Sequence, residues 1–319
     1  MKITANRLTL LRILLLPVPC LLLYGGPEAK ITALGVGSLL GLTDYFDGRL
    51  ARRHGVTRLG TLLDPIADKI FVAVIYLVLT RLGYLSLFLV AGILLREFLV
   101  TALRQLVPGN LPVSWLAKTK TALQMAGAAL IILLKTFPGY TLALLLATSL
   151  LAGVGVFFSS LKSSQKRALL LATLGFPLLA LVPGEKLPSL LGGLVLLVTW
   201  LSAAGYLRAA AKSLSSRALP DLVSRLALPT VALFLIPLAG PWWPLALFLL
   251  ISELVREALA LLTQKTAPPR LWGVLGLLGV GPLLLGGPQV TVAYLSLALI
   301  ASLCEAGKLL VDFWQAARG

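Results

Sequence analysis

"GLTDYFDGRLARRHGVTRLGTLLDPIADK", residues 41–69, places Asp44, Asp47, Asp64 and Asp68 within 25 positions of one another. They are four of the twelve acidic residues in a 319-residue chain whose formal net charge is +16. Asp44 and Asp47 are three apart, Asp64 and Asp68 four apart, and on a helix either spacing puts both side chains on one face. The basic stretch between them, with Arg49, Arg52, Arg53, Gly55 and Arg58, suits a short turn joining two helices. Four carboxylates are therefore expected to converge where one helix ends and the next begins. Crowded together without counter-charge, they cannot all stay ionised. Divalent cations relieve that repulsion, and hard oxygen ligands favour Mg2+ or Mn2+ over zinc. Two such ions a few ångströms apart suit in-line phosphoryl displacement. Salt bridges to the neighbouring arginines are the structural alternative, but surface pairs need no such spacing, and intramembrane acids are functional by default.

Around this cluster the chain is oily. Hydrophobic residues make up 58%, charged residues 13%, and mean hydropathy is +0.96, whereas soluble domains carry about 25% charged residues. Repeated apolar runs have the length that crosses a bilayer. They predict spans near 8–24, 31–47, 62–80, 84–106, 118–135 and 141–160, then near 167–183, 189–207, 222–239, 243–263, 271–286 and 290–309. Turns at Gly25-Gly26-Pro27, Pro138-Gly139, Pro183-Gly184, Gly240-Pro241 and Gly286-Gly287-Pro288 punctuate them. The expected fold is an all-α polytopic membrane protein of about twelve transmembrane helices. The flank Tyr24-Gly25-Gly26-Pro27 is no cleavage site, so the first run reads as a retained span.

The sequence pI of 10.3 does not point to nucleic acid, because the basic residues are not grouped with stacking aromatics. They fall in alternate loops, as the positive-inside rule requires. Lys30, Arg81, Lys135 and Lys186 are nearly all that lies on the opposite side. Both termini and the acidic cluster are thus expected to face the cytoplasm. Cys20, Cys304 and the lone His54 form no metal or redox spacing.

A shift of about 160 residues aligns the two halves. "NRLTLLRILLLP" (6–17) lies over "KRALLLATLGFP" (166–177), and "LSLFLVAGILLREFLVTALRQ" (85–105) over "LALFLLISELVREALALLTQK" (245–265), matching Arg96-Glu97 to Arg256-Glu257. Six spans per half give two parallel six-helix repeats. At the same offset less one, the four aspartates become Ala203, Tyr206, Val223 and Ala227. Residues 1–160 are therefore expected to be catalytic and 161–319 a degenerate, catalytically inactive repeat.

The pattern Asp44-x-x-Asp47-Gly48-x-x-Ala51-Arg52, then Gly60-x-x-x-Asp64-x-x-x-Asp68, resembles the signature of the CDP-alcohol phosphotransferases. Seven residues separate Arg52 from Gly60, where that family usually has eight or more. The resemblance implies that Asp44, Asp47 and Asp64 bind a pair of divalent cations, Mg2+ or Mn2+. Asp68 would be the general base and share a metal, and Gly48, Ala51, Arg52 and Gly60 would lie against the CDP moiety.

"REFLVTALRQ" (96–105) and "WLAKTKTALQ" (115–124) add Arg96, Arg104, Lys118 and Lys120, a basic pocket able to hold a dianionic phosphate. Ordinary positive-inside charge for the lysines, and an ion pair of Arg96 with Glu97, are the plain alternatives. These stretches and the opening "NRLTLLRILLLP", with Asn6, Thr9, Arg12 and Pro17, resemble phosphatidylglycerophosphate synthases over roughly residues 5–160. That resemblance implies transfer of the phosphatidyl group from CDP-diacylglycerol to sn-glycerol 3-phosphate in phospholipid biosynthesis, with the four basic residues on the acceptor phosphate. Inositol phosphate or phosphatidylglycerol as acceptor, and a twelve-helix transporter, are the competing readings. A transporter would carry ionisable groups near the midplane of both halves. The implied setting is a prokaryotic-type plasma membrane, with the active site cytoplasmic. The degenerate half would act as a built-in partner in a pseudo-dimer rather than the chain forming a homodimer.

Overall fold

A computed structural model describes residues 5–54, 58–107, 115–158, 163–213, 218–263, 275–276, 278–285 and 287–318. Side chains are described for these except residues 5–8, 44–54, 58–65, 115–119, 158, 164, 168, 213, 261–262, 283–285 and 316–318. Among the described residues the secondary structure is helical, with no strand.

The acid-bearing stretch lies on two long helices, α3 (Pro27–His54) and α4 (Arg58–Arg81). Helix α3 runs past the expected end of its span because Arg49-Leu50-Ala51-Arg52-Arg53 are all strong helix formers. Before it come α1 (Ala5–Leu15) and α2 (Pro17–Leu22). The single span expected at 8–24 is broken at Leu16, because Pro17 supplies no backbone N–H and crowds the preceding turn. Helix α1 packs against both α3 and α4.

Helix α4 stops at Gly83, whose φ of +71° lets the Leu82, Gly83 and Tyr84 N–H groups fold back onto Val78, Thr80 and Leu79. Ser86 then caps α5 (Leu87–Leu106), accepting the Leu89 N–H at 3.4 Å. Helices α6 (Trp115–Thr136) and α7 (Thr141–Phe158) complete the first half.

The second half comprises α8 (Ser163–Gly175), α9 (Leu187–Leu201), α10 (Ala204–Ser213), α11 (Leu219–Leu235), α12 (Trp243–Thr263), α13 (Val280–Leu285) and α14 (Pro288–Arg318). Helix α5 is central: it packs against α4, α9, α11 and α12. Helix α9 lies on α5 and α6 at close range. A Cβ on Gly127 of α6 would sit 2.7 Å from Val195 Cγ2, and one on Gly92 of α5 would sit 2.9 Å from Leu196 Cδ1, so these helices meet through missing side chains.

Three helical stretches among the described residues are long and apolar enough to cross a membrane: Pro138–Phe157, Leu187–Lys212 and Pro288–Gln315. Helices α4, α5, α6 and α12 are of similar length but carry internal charges, including Lys69, Arg96, Glu97, Lys120, Glu253, Arg256 and Glu257.

Candidate active site

Asp44 and Asp47 lie on α3, Asp64 and Asp68 on α4. Counted along the helices at 1.5 Å per residue, Asp44 lies about 15 Å from the His54 end of α3 and Asp68 about 15 Å from the Arg58 end of α4, with Asp47 and Asp64 about 10 Å from those ends. A single arginine ties these levels together. Arg12 of α1 is 3% exposed; its Nε donates to Thr43 Oγ1, beside Asp44, at 3.3 Å, and its Nη1 to Asp68 Oδ1 at 3.3 Å. The Asp68 side chain is 39% exposed, so it keeps an open face.

That open face looks into a cleft of about 640 Å³ between α3, α4 and α6. Asp68 and Arg12 supply its charged end. Ala33, Gly37 and Gly41, each four residues on and so on one face of α3, form a wall without bulk, and Phe71, Ile75 and Met125 line the rest. The small-residue spacing in α3 was a readable signal of this groove.

The side chains of Asp44, Asp47, Gly48, Ala51, Arg52, Gly60, Asp64 and Lys118 lie outside the described ones. Among the described residues no three His, Cys, Asp or Glu side chains form a metal site. The chemistry of the donor set suits hard divalent cations: four carboxylates, spaced three apart on α3 and four apart on α4, of which Asp68, the one with a described side chain, is partly exposed beside a cleft.

On the other side of α4 and α6 lies a second charged group. Glu97 of α5 is buried and accepts from Lys120 Nζ and from Arg96 Nη1, the latter at 3.3 Å. Lys69 Nζ of α4 donates to Thr101 Oγ1 at 2.6 Å, one turn along α5. Three cations thus gather around one carboxylate among the described residues. Arg96 forms the ion pair with Glu97 that is the plain alternative to a phosphate role, and it is 3% exposed, with each guanidinium nitrogen on a protein acceptor. Lys120 is likewise buried, while Arg104 is exposed at the last turn of α5. The structure therefore brings Arg96 and Lys120 together at Glu97 and leaves Arg104 nearer the helix end. Lys69 stands outside the basic pocket expected from sequence, although a lysine before "IFVAVIYLVL" is a charge conspicuous at the head of an apolar run.

A buried charged group in the second half is balanced instead. Arg256 Nη2 donates to Glu253 Oε2 at 2.8 Å and to Glu257 Oε1 at 2.6 Å. Arg225 Nη1 reaches Glu257 Oε2 at 3.0 Å and Gln105 Oε1 of α5 at 2.6 Å. Two arginines meet two glutamates, all four at most 2% exposed.

The chain matches the family model described as CDP-alcohol phosphatidyltransferase over residues 2–159. It is 41% identical over 133 residues to a Rickettsia bellii protein named CDP-diacylglycerol–glycerol-3-phosphate 3-phosphatidyltransferase, covering 40% of this chain and 74% of that protein. Proteins of the same name from Rickettsia typhi (42% over 139 residues; 42% and 78% covered) and Pseudomonas fluorescens (39% over 161 residues; 47% and 81% covered) are similar too. No solved structure matches the chain. With its aspartate signature on two helices and about three quarters of such relatives covered, the chain is a transferase that belongs to the CDP-alcohol phosphatidyltransferase family.

Proposed function

We propose that residues 1–160 transfer the phosphatidyl group from CDP-diacylglycerol to sn-glycerol 3-phosphate, giving phosphatidylglycerophosphate and CMP. The observation that carries this reading is the cleft, apolar along its length and headed by Arg12 and Asp68. An acyl chain against Ala33, Gly37 and Gly41 would bring the donor's pyrophosphate to the aspartates. The names of the relatives support the same donor and acceptor.

In the reaction, Asp68 takes the proton from the 1-hydroxyl of glycerol 3-phosphate. The freed oxygen attacks the lipid-bearing phosphorus while the bond from that phosphorus to CMP breaks. General-base help of this kind is worth about 10²–10⁴-fold. Two divalent cations, Mg2+ or Mn2+, held by Asp44, Asp47, Asp64 and Asp68, would neutralise the charge on the pyrophosphate and on departing CMP. Gly48, Ala51 and Gly60 leave room for the CDP moiety, and Arg52 can meet a phosphate bidentately. Arg96, Arg104, Lys118 and Lys120 serve the acceptor phosphate. The excess of cations over Glu97 supports this, since buried charge needs compensation and a dianion supplies it.

The reading also places twelve spans in a prokaryotic-type plasma membrane, with the active site and both termini cytoplasmic, and makes residues 161–319 a degenerate repeat standing in for a second protomer. Helix contacts support it. Exchanging α4 with α11 and α5 with α12 turns the α5–α11 contact into the α12–α4 contact and maps the α5–α12 contact onto itself, as a two-fold interface requires. One chain per particle in native nanodiscs is expected; two would count against a built-in partner.

The test is CMP release from CDP-diacylglycerol by purified protein with Mg2+, offering glycerol 3-phosphate, inositol phosphate, serine or phosphatidylglycerol, with Asp68→Asn alongside. Release that needs glycerol 3-phosphate and is lost in the variant is the expected result. Release with a different alcohol would remove the acceptor assignment, and none with any alcohol would remove the reaction.

A further inference from the structure

We propose that the second half completes the acceptor site: Tyr206 and Ser202 are positioning residues that hold Arg104 and Arg96 for the acceptor phosphate. The inference rests on the acceptor reading given under Proposed function and adds to it a contribution from residues beyond the catalytic domain.

Arg104 Nη2 donates to the Tyr206 hydroxyl at 2.6 Å, and its guanidinium lies 5.0 Å from the centre of the Tyr206 ring. An exposed arginine on the last turn of a helix ordinarily samples many rotamers, and fixing it costs entropy. Tyr206 is a firm anchor for it, being 1% exposed and clustered with Val100, Ala203 and Leu207. One edge of the guanidinium is thereby held, which leaves its remaining donors for an anion.

Arg96 is held just before it in the chain, at the end of α9 and the turn that follows. Its Nε donates to Thr199 O at 3.1 Å and its Nη2 to Ser202 Oγ at 2.7 Å. The Thr199 carbonyl is available because the chain tightens between α9 and α10. In a continuing α-helix the Ala203 N–H would bond to Thr199 O; here it bonds to Trp200 O at 2.9 Å. Ser202 Oγ donates to the same Thr199 carbonyl at 2.6 Å, so its lone pairs face Arg96.

The segment is also pinned to the catalytic half. Gln124 Nε2 of α6 donates to Thr199 Oγ1 at 3.2 Å, and Trp200 Nε1 donates to Gly92 O of α5 at 3.1 Å. In the aligned register, Tyr206 stands where the first half has Asp47. The position that carries a proposed metal ligand in one half carries an arginine anchor in the other.

The test is steady-state kinetics on the full chain in nanodiscs, with both substrates varied. Tyr206→Phe keeps the ring and its packing and removes only the hydroxyl. The KM for glycerol 3-phosphate is expected to rise about tenfold, at the lower end for losing a hydrogen bond to a charged group. The kcat and the KM for CDP-diacylglycerol should stay within about twofold. In an Arg104→Gln background the same substitution should add nothing. Ser202→Ala should raise the same KM, with Ser202→Thr restoring it. An unchanged KM for glycerol 3-phosphate in Tyr206→Phe, an equal rise for both substrates, or full additivity with Arg104→Gln would overturn the proposal. Wild-type protein that releases no CMP with glycerol 3-phosphate overturns the underlying reading instead, before any variant is compared. If it uses another phosphorylated acceptor, the same split on that acceptor's KM still supports Tyr206.

Discussion

Neutralising Glu257 is expected to be among the most damaging conservative changes in the chain. Its carboxylate accepts from Arg225 Nη1 at 3.0 and 3.1 Å, Arg256 Nη2 at 2.6 Å and Gln105 Nε2 at 2.8 Å. These donors come from α5, α11 and α12, so one side chain joins both halves. Glu257 is 1% exposed, Arg225 2% and Arg256 0%, which leaves no water to take over. Glu257→Gln leaves Arg256 with Glu253 alone, takes from Arg225 its carboxylate partner, and turns an amide NH2 toward guanidinium donors. Breaking a buried pair by removing one partner costs about 3–5 kcal/mol. Arg225→Met in the same chain restores the charge balance, so the double variant should recover at least about 1 kcal/mol relative to Glu257→Gln, a coupling expected for contacting charges. Reversible unfolding in mixed micelles, followed by circular dichroism, reads both numbers. A Glu257→Gln loss below about 0.5 kcal/mol, or an Arg225→Met effect that simply adds to it, would refute a charge-balanced core. Glu97→Gln supplies the contrast: inorganic phosphate should win back stability there, where cations are in excess, and not in Glu257→Gln.

Three further outcomes are expected. Asp68→Asn should lower kcat by about 10²–10⁴-fold with donor binding retained, whereas Asp44→Ala should abolish CMP release, and chelation followed by Mg2+ should switch the wild type off and on. Arg12→Lys keeps the charge but loses the two-pronged reach to Thr43 and Asp68; kcat should fall while the KM for glycerol 3-phosphate stays unchanged, and an equal change in both would place Arg12 elsewhere. Gly192→Leu puts a side chain where a Cβ alone would stand 2.7 Å from Leu85, and should destabilise the contact between halves by about 1–3 kcal/mol in the same unfolding assay.

The helices were legible because an apolar run of about 20 residues is among the strongest patterns a sequence carries: α4, α5, α6 and α12 lie where hydropathy puts them. The breaks were harder. Pro17 announces the one between α1 and α2, but the tightened turn at Ser202–Ala203 has no glycine or proline of its own to mark it. That the four acids fall on two helices was legible, because four acids in an oily chain stand out and their three- and four-residue spacings have one helical meaning. Their convergence on one site belongs to the proposal, since only Asp68 among them has a described side chain. The partners of Arg96 and Arg104 were not. Thr199, Ser202 and Tyr206 lie more than 100 residues away, and pairing at that separation leaves no local period to read.

The same limit hid what distinguishes the two proposed repeats. In the proposed alignment the second half lacks four aspartates and any counterpart of Lys118 and Lys120. The structure adds what it has instead. Glu253 stands where the first half has Ile93, and it takes Arg256 Nη2 at 2.8 Å while Ser302 Oγ donates to it at 2.6 Å. Arg256 therefore finds its counter-charges within its own helix, whereas Arg96 shares Glu97 with Lys120 and takes its other acceptors from α9 and the turn that follows. A site that must receive a dianion is better left short of negative charge until the substrate arrives, because a resident carboxylate would compete for the same cations. A half that only supports its neighbour gains nothing from that shortfall and would carry the full desolvation cost of an uncompensated arginine. On this reasoning the added glutamate in α12 and the anchors in α9 and α10 are two sides of one division of labour, with charge closed in the supporting half and left open in the catalytic one.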